Sequence, residues 1–405
     1  SVFVAATLVR PAAQADPMRS VFVAATRQHV GKSTTSLGLL AALSSRVPLE
    51  SIGYLKPVGQ QHVEVQAAAE GAPPLRVDKD CRLAKEYFGL RCEYKHMSPV
   101  LMPRGFTKSY VDGEIDMERQ KQALLHAWEA LRAAHPNVVV EGTGHMGVGS
   151  IVGLDNAAVA KLLGLEVVLV CEGGLGSAFD ELSLNLAVCA AQGVKVRCVV
   201  LNRVQPAKVE MMRDYLGRAL GRIGVPLAGL VPTEPFLAAP SMGDFAKLLG
   251  QRLISGEEHV LRHCGGVQFV TCSVRRFEER LAEGEYSDRL LVVHGSRLGI
   301  LEACLRHHAQ TGEIRGGVIF TGTRHSWAPD EPILARLRES RIPTMHAPLE
   351  TTEVAERIQK FTAKLNATDR QRTEAAIRHV QAHVDMDVLL GGTAAGGLAS
   401  PRRGV

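Results

Sequence analysis

The chain has 405 residues, of which 46% are apolar and 22% charged, with a formal net charge of +5. That length asks for more than one hydrophobic core, and that composition excludes wholesale disorder. The charge is small for the length, and few aromatics lie among the scattered Arg and His residues, so no nucleic-acid footprint is expected. No stretch approaches the ~20 uninterrupted apolar residues of a membrane helix. The eight cysteines form no C-x-x-C pair and no Cys/His zinc spacing, and several sit in apolar runs. This usage points to a reducing compartment, cytoplasmic or an organellar matrix, rather than secretion. Residues 8–19, LVRPAAQADPMR, are at most a weak transit-peptide remnant.

SVFVAAT occurs twice, at 1–7 and at 20–26. After the first copy comes LVRP, and Pro11 blocks a following helix. That copy reads as an extra edge strand or an accident of the gene's start, within an N-terminal extension over 1–19. After the second comes RQHVGKSTTSLGLL, an apolar strand over 20–25 feeding a helix over 33–45.

Further Val-, Ile- and Leu-rich runs follow: a second strand in IGYL, then 138–141 (VVVE), 165–170 (LEVVLV), 194–201 (VKVRCVVL) and 226–232 (PLAGLVP). They show little polar alternation, as strands buried on both faces of a parallel sheet do. Helical patterns lie between them at 117–134, 156–163 and 177–192. This rhythm predicts a doubly wound α/β domain over 20–240. It breaks at clustered prolines in TEPFLAAPSMGDF. A smaller α/β domain is expected over 241–365, with strands at 289–295, 316–322 and 343–348 and helices at 297–309, 330–340 and 351–364. Residues 366–405 read as a last helix (369–384) and a flexible tail over 391–405.

A strand that turns tightly into a helix presents free backbone N–H groups to an anion, and the helix dipole adds to the attraction. In HVGKST, Gly31 lets the backbone close on phosphates, Lys32 reaches the β- and γ-phosphates, and Ser33 offers a hydroxyl to Mg²⁺. The strict pattern G-x-x-x-x-G-K-[ST] wants Gly at position 26, where this chain has Thr26. The loop residues read as nucleotide-binding are Thr26, Arg27, Val30, Gly31, Lys32, Ser33 and Thr34, with ATP and Mg²⁺ as the expected cofactors.

Four more stretches fall in order after this loop: IGYLKPVGQ (52–60), VDKDC (77–81) with its carboxylates in a loop, VVVEGTGHMGVGS (138–150), and VVLNRV (199–204). Together with HVGKST they resemble the dethiobiotin synthetase-like family of phosphate-loop proteins, over about residues 20–235. Its cousins are the cobyrinic acid amidases and the N-terminal domain of long-form phosphate acetyltransferases. The second unit resembles the DRTGG domain that follows in those acetyltransferases. Here Ser296-Arg297 stands for the family's Asp-Arg, and Thr321-Gly322-Thr323 for its Thr-Gly-Gly. In those proteins the acetyltransferase catalytic domain comes next, and the sequence runs on for only ~40 more residues, so the resemblance is not expected to extend to acetyl transfer.

The resemblance implies roles residue by residue. Lys32 and Lys56 are the catalytic lysines, Lys56 stabilising charge on the substrate and on the transferred phosphoryl group. Ser33, Asp80 and Glu141 hold Mg²⁺, with Asp78 competing for the place of Asp80. Asn202 reads the base edge. Arg27 lies where a related ATPase branch has a lysine that crosses a dimer interface; it either serves a homodimer partner or faces solvent. The pairs His307-His308 and His263-Cys264 lack metal spacing. Two departures concern the substrate side: His29 replaces a usual acid, and Gly59-Gln60-Gln61-His62 follows Lys-Pro-Val where small and hydroxylated residues receive the substrate carboxylate. Two functional classes stay open: a Mg²⁺-ATP-binding regulatory or scaffold protein with weak ATPase activity, whose second domain senses a metabolite effector or docks a protein partner, and an enzyme that activates a carboxylate or carbamate by phosphoryl transfer. A structural subunit with a relict site is the third reading.

Overall fold

A computed structural model describes residues 20–66, 73–312, 314–323, 327, 329 and 331–391. The first SVFVAAT copy, the extension over 1–19 and the tail beyond 391 lie outside the described residues. The chain divides into two compact units, Ser1–Thr233 with Asn366–Val405, and Glu234–Leu365.

The first unit is built on six strands: β1 (Val21–Ala25), β2 (Ile52–Leu55), β3 (Asn137–His145), β4 (Val167–Glu172), β5 (Val196–Val204) and β6 (Leu227–Pro232). Their order across the sheet is β6-β5-β4-β1-β3-β2, and every pairing is parallel. All of β1 is buried, as are Val138–Val140 and Val167–Cys171, which is why these runs carry no polar alternation. From β1 the chain winds one way to reach β2 and β3, then the other way to β4, β5 and β6. The carboxyl end of β1 therefore opens where the winding reverses, the place where open α/β sheets bind ligands.

Helices α1 (Lys32–Ser44), α2 (Lys79–Phe88) and α3 (Leu175–Gln192) position the functional side chains. Helix α1 is apolar on more than one face, with Leu37, Leu39, Leu40 and Leu43 all buried. The reason is a second layer outside it: the C-terminal helix Arg370–His383 packs on α1. Gly38 marks the crossing, since a Cβ there would lie 2.9 Å from Val380 Cγ1. The same segment covers the free edge of β6 through an antiparallel bridge of Gly229 with Val384 and a bond from Asp385 N to Ala228 O of 2.9 Å. Blunting an exposed edge in this way keeps it from pairing with another chain. Residues 370–391 are thus part of the first unit rather than an appendage to the second.

Among the described residues the second unit has a five-stranded sheet, β7 (Leu253–Ser255), β8 (Val267–Phe269), β9 (Leu290–His294), β10 (Gly317–Thr321) and β11 (Thr344–Ala347), in the order β7-β11-β10-β9-β8. All pairings are parallel except that of β7 with β11. Side chains alternate across this sheet. Leu291 and Val293 enter a cluster with Phe277, Tyr286 and Leu301, while Leu290 and Val292 enter another with Met242, Phe245 and Met345.

Candidate functional site

The phosphate loop leaves β1 and enters α1 through Gly31, whose φ of 106° is a left-handed conformation that suits glycine. A Cβ at Gly31 would meet Asn202 Nδ2 at 2.1 Å, so the loop also needs glycine for space. His29 likewise has positive φ, 63°. Asn202 Nδ2, from β5, donates to the Val30 carbonyl at 2.8 Å. The side chain expected to read a base edge therefore braces the loop. Val30 is fully buried, and Thr34 lies in the first turn of α1.

Lys32 Nζ reaches across to the Gly144 carbonyl at 2.9 Å, joining the loop to the last residues of β3. Burial, then the nearby Lys56 charge, lower the Lys32 ammonium to about 8, against partial compensation by Glu141 and Asp80. Ser33 Oγ donates to Glu141 Oε1 at 2.8 Å, and Tyr54 OH donates to Glu141 Oε2, also at 2.8 Å. Burial, and next the Glu141 charge, raise the Tyr54 phenol well above its ordinary value, so it stays a donor.

Lys56 ties the cluster together. It is 4% exposed, so it is not a lysine left in solvent at a strand end. Its Nζ donates to Asp80 Oδ2 at 2.9 Å, Glu141 Oε1 at 2.8 Å and Gly142 O at 3.2 Å. Burial alone would lower this ammonium, and the Asp80 and Glu141 carboxylates overcome that, holding it well above its usual range. Burial likewise pushes Asp80 up, but Lys56 and then Lys79, which also donates to it, hold it well below the usual carboxylate range.

The two aspartates of VDKDC do not lie in a loop. Asp78 ends a short strand, Leu75–Asp78, and is the N-cap of α2, while Asp80 stands in that helix's first turn. The Asp78 carboxylate accepts from Asp80 N at 3.0 Å, Gln60 N at 3.1 Å and Gln61 N at 3.3 Å, and N-capping of this kind fixes the helix start. Asp80 is therefore the aspartate brought to Lys56, and Asp78 positions it. Burial, then the adjacent Asp80 charge, raise the Asp78 carboxyl.

Three residues beyond the motifs hold the end of β3 and the start of the phosphate loop. Asn156 Oδ1 accepts from Thr143 N at 3.0 Å, and its Nδ2 donates to the Thr143 and His145 carbonyls at 2.8 and 2.6 Å. Asn185, on α3, accepts from Met146 N at 3.1 Å and donates to Thr26 O at 3.2 Å. Glu181, one turn earlier on α3, accepts from Thr26 Oγ1 at 3.0 Å. Arg27 is half-exposed and pairs with Glu172 at 3.1 Å and Glu181 at 3.6 Å, so it does not simply face solvent. Ser33 and the Asp80 and Glu141 carboxylates are hard oxygen donors within one hydrogen-bonded chain, a set whose chemistry fits Mg²⁺.

A parallel sheet whose first strand runs through a glycine-closed loop into a helix, with Lys32 and Ser33 opening that helix, defines a P-loop NTPase-like domain. Residues 19–241, more than half of the chain, match AAA_26, an AAA domain family, and residues 244–361 match the DRTGG domain. The chain belongs to the AAA_26 family, the dethiobiotin synthetase-like branch of P-loop domains, with a DRTGG domain after it. It is 31% identical over 242 residues to ATP-dependent dethiobiotin synthetase BioD of Anaeromyxobacter sp. strain K, covering 58% of this chain and 99% of that one. It is 25% identical over 383 residues to phosphate acetyltransferase of Pseudomonas putida, covering 91% of this chain and 51% of that one. The chain thus spans about half the length of that acetyltransferase. Among solved structures, the MinC:MinD cell division protein complex of Aquifex aeolicus matches with 12% identity and a TM-score of 0.33, covering 54% of this chain and 83% of that one. Among the described residues no helix is long and apolar enough to cross a membrane.

Proposed function

We propose that the first unit binds Mg²⁺-ATP at the loop 26–34 and hydrolyses it weakly, and that the nucleotide serves regulation or scaffolding rather than a committed synthetic reaction. In this reading Lys32 holds the β- and γ-phosphates, exchanging the Gly144 carbonyl for a stronger charge-assisted contact. Ser33, Asp80 and Glu141 would hold Mg²⁺, which supplies charge neutralisation for the phosphates. Lys56 shifts from carboxylates to developing phosphoryl charge, so that catalysis is positioning and electrostatics. Asn202 and Asn185 keep the loop in shape. A homodimer belongs to the proposal through the resemblance.

One observation supports regulation over synthesis. The backbone N–H groups of Gln60 and Gln61, in the segment where the resemblance places a substrate carboxylate, already donate to the chain's own Asp78. An internal carboxylate there competes with an external one. The second reading, activation of a carboxylate or carbamate, is supported by the same Lys56–Asp80–Glu141 cluster and by similarity to BioD over nearly its whole length.

Isothermal titration of ATP, with GTP as control, into wild type and Lys32→Ala in Mg²⁺ tests the proposal. Micromolar ATP binding is expected, weakened about 10- to 100-fold in the variant, the worth of a hydrogen bond to a charged group. Absence of binding to wild type overturns it in favour of a structural subunit. A carboxylate metabolite that speeds ATP turnover many-fold moves the assignment to the enzyme reading.

A further inference from the structure

The second unit has a cavity of about 430 Å³ at the carboxyl ends of β8 and β9. Its size suits one small metabolite, and its place is where parallel sheets bind ligands. Phe269 and Val292 give it apolar wall, and the side chains of Thr271, Ser273, His294, Arg297 and Thr351 bring hydrogen-bond donors to its lining. Among the described residues lining it, none is Asp or Glu.

Arg297 carries the argument. Its guanidinium donates to the Val270 and Cys272 carbonyls, which fixes it against the loop that follows β8. Two neutral carbonyls orient a cation without cancelling its charge, and among the described residues no carboxylate pairs with it. His294 adds a second donor. Its Nδ1 lies 2.7 Å from Ser296 Oγ and accepts from Ser296 N at 3.4 Å, which leaves Nε2 to carry the proton. Thr351 shares a 2.6 Å hydroxyl contact with Thr321, and Ser273 accepts from Arg276 N at 3.3 Å, so both hydroxyls are fixed in place. A polar end rich in donors and free of acids, with an apolar wall beside it, is complementary to an organic oxyanion.

We propose that this cavity binds a small organic oxyanion, a carboxylate or a phosphate monoester with an apolar body, whose charged group is held by Arg297 and His294. The site is independent of the nucleotide reading of the first unit.

Cys272 gives the readout. It lines the cavity and is the one of the eight cysteines that is not fully buried. Native full-length protein is labelled with a chromogenic disulfide, and the rate of the single fast thiol is followed; a Cys272→Ser variant identifies that thiol. Phenyl phosphate and benzoate are the probes, and benzyl alcohol is the uncharged control. Saturable slowing of at least fivefold by one of the anions is expected, and which anion acts separates phosphate from carboxylate. Benzyl alcohol should leave the rate unchanged. Protection should need at least tenfold more probe in Arg297→Gln. Because Arg297 also fixes the loop bearing Cys272, His294→Gln provides the second variant, expected to weaken protection three- to tenfold while the unprotected rate stays at the wild-type value. Lys32→Ala should protect like wild type. No protection by either anion, equal protection by benzyl alcohol, or protection indifferent to both variants overturns the proposal.

Discussion

The two units place cations at the carboxyl ends of their sheets in opposite ways. In the first, Lys56 is buried between two carboxylates at 2.8 and 2.9 Å. In the second, Arg297 is half-buried, held by carbonyls, in a cavity whose lining has no acid. Burial explains the difference. A fully desolvated ammonium must be paired, because an isolated buried charge is too costly to keep. A guanidinium with access to water can stay uncompensated and wait for an anion. On the proposed readings, the first site exchanges partners to act and the second needs only to acquire one.

The largest expected effect breaks this contrast directly. Lys56→Met leaves Asp80 and Glu141 buried and facing each other, and removing one partner of a buried pair costs about 3–5 kcal/mol. Arg297→Met removes a cation that, among the described residues, has no carboxylate to strand, and its cost should stay lower, at about 1.5–3 kcal/mol, the scale of hydrogen bonds made by a charged group. Urea unfolding of each unit is the measurement, read by Trp128 for the first unit in a Trp327→Phe background and by Trp327 for the second. The Lys56→Met deficit should shrink on acidification, because the Lys56 charge is what holds Asp80 well below the usual carboxylate range in the folded protein. Equal losses in the two variants would mean that burial does not distinguish the sites.

Lys32 sharpens the comparison from inside the first unit. It is buried like Lys56, yet its ammonium donates to a carbonyl, as the Arg297 guanidinium does. Its folded value of about 8 lies below the unfolded 10.5. Between those values the unfolded chain binds more protons, so this group makes stability rise with pH. The penalty is fully present below about pH 8 and is relieved toward pH 10.5, by up to about 3 kcal/mol. Tyr54 and the buried thiols are raised and act in the opposite sense, so the comparison is with Lys32→Met. The variant should be the more stable protein at pH 7, with the gap closing by pH 10. A gap independent of pH would remove the argument that desolvation sets this lysine.

The strands and motifs that carry these sites were legible for physical reasons. Doubly buried strands need unbroken apolar runs, so β1, β3, β4, β5 and β6 stood out, and the helices over 117–134 and 156–163 have the expected bounds. Lys32 and Ser33 sit in one contiguous motif, and Glu141 ends a buried run. Asp78 and Asp80 could not be separated from composition, because the decision rests on which carboxylate caps α2. Tyr54, Asn156, Asn185 and Glu181 escaped notice because their partners are remote in sequence: Tyr54 meets Glu141 across 87 positions, and Asn185 meets Thr26 across 159. The C-terminal helix had a helical pattern, but nothing local says that it packs on α1. The short β7 and β8 carry too few residues to show a period.

Arg27 gives the smallest expected effect and separates an internal brace from a contact between copies. Its pairs with Glu172 and Glu181 are half-exposed on the arginine side, and ion pairs of that kind contribute about 0–1 kcal/mol. Arg203 also pairs with Glu172, at 3.2 Å, so the acid keeps a partner when Arg27 is removed. Arg27→Ala should therefore lower stability by less than about 1 kcal/mol. ATP turnover should stay within twofold of wild type, and the mass by sedimentation with ATP should not change. A guanidinium that crossed to a partner's phosphates would behave otherwise, because it would have to leave both glutamates and would act on transition-state charge. Turnover would then fall tenfold or more at unchanged ATP affinity, and the loss would be complemented by mixing with a Lys32→Ala copy that still carries Arg27. That pattern would give Arg27 the uncompensated character of Arg297, with the missing anion supplied by a second chain.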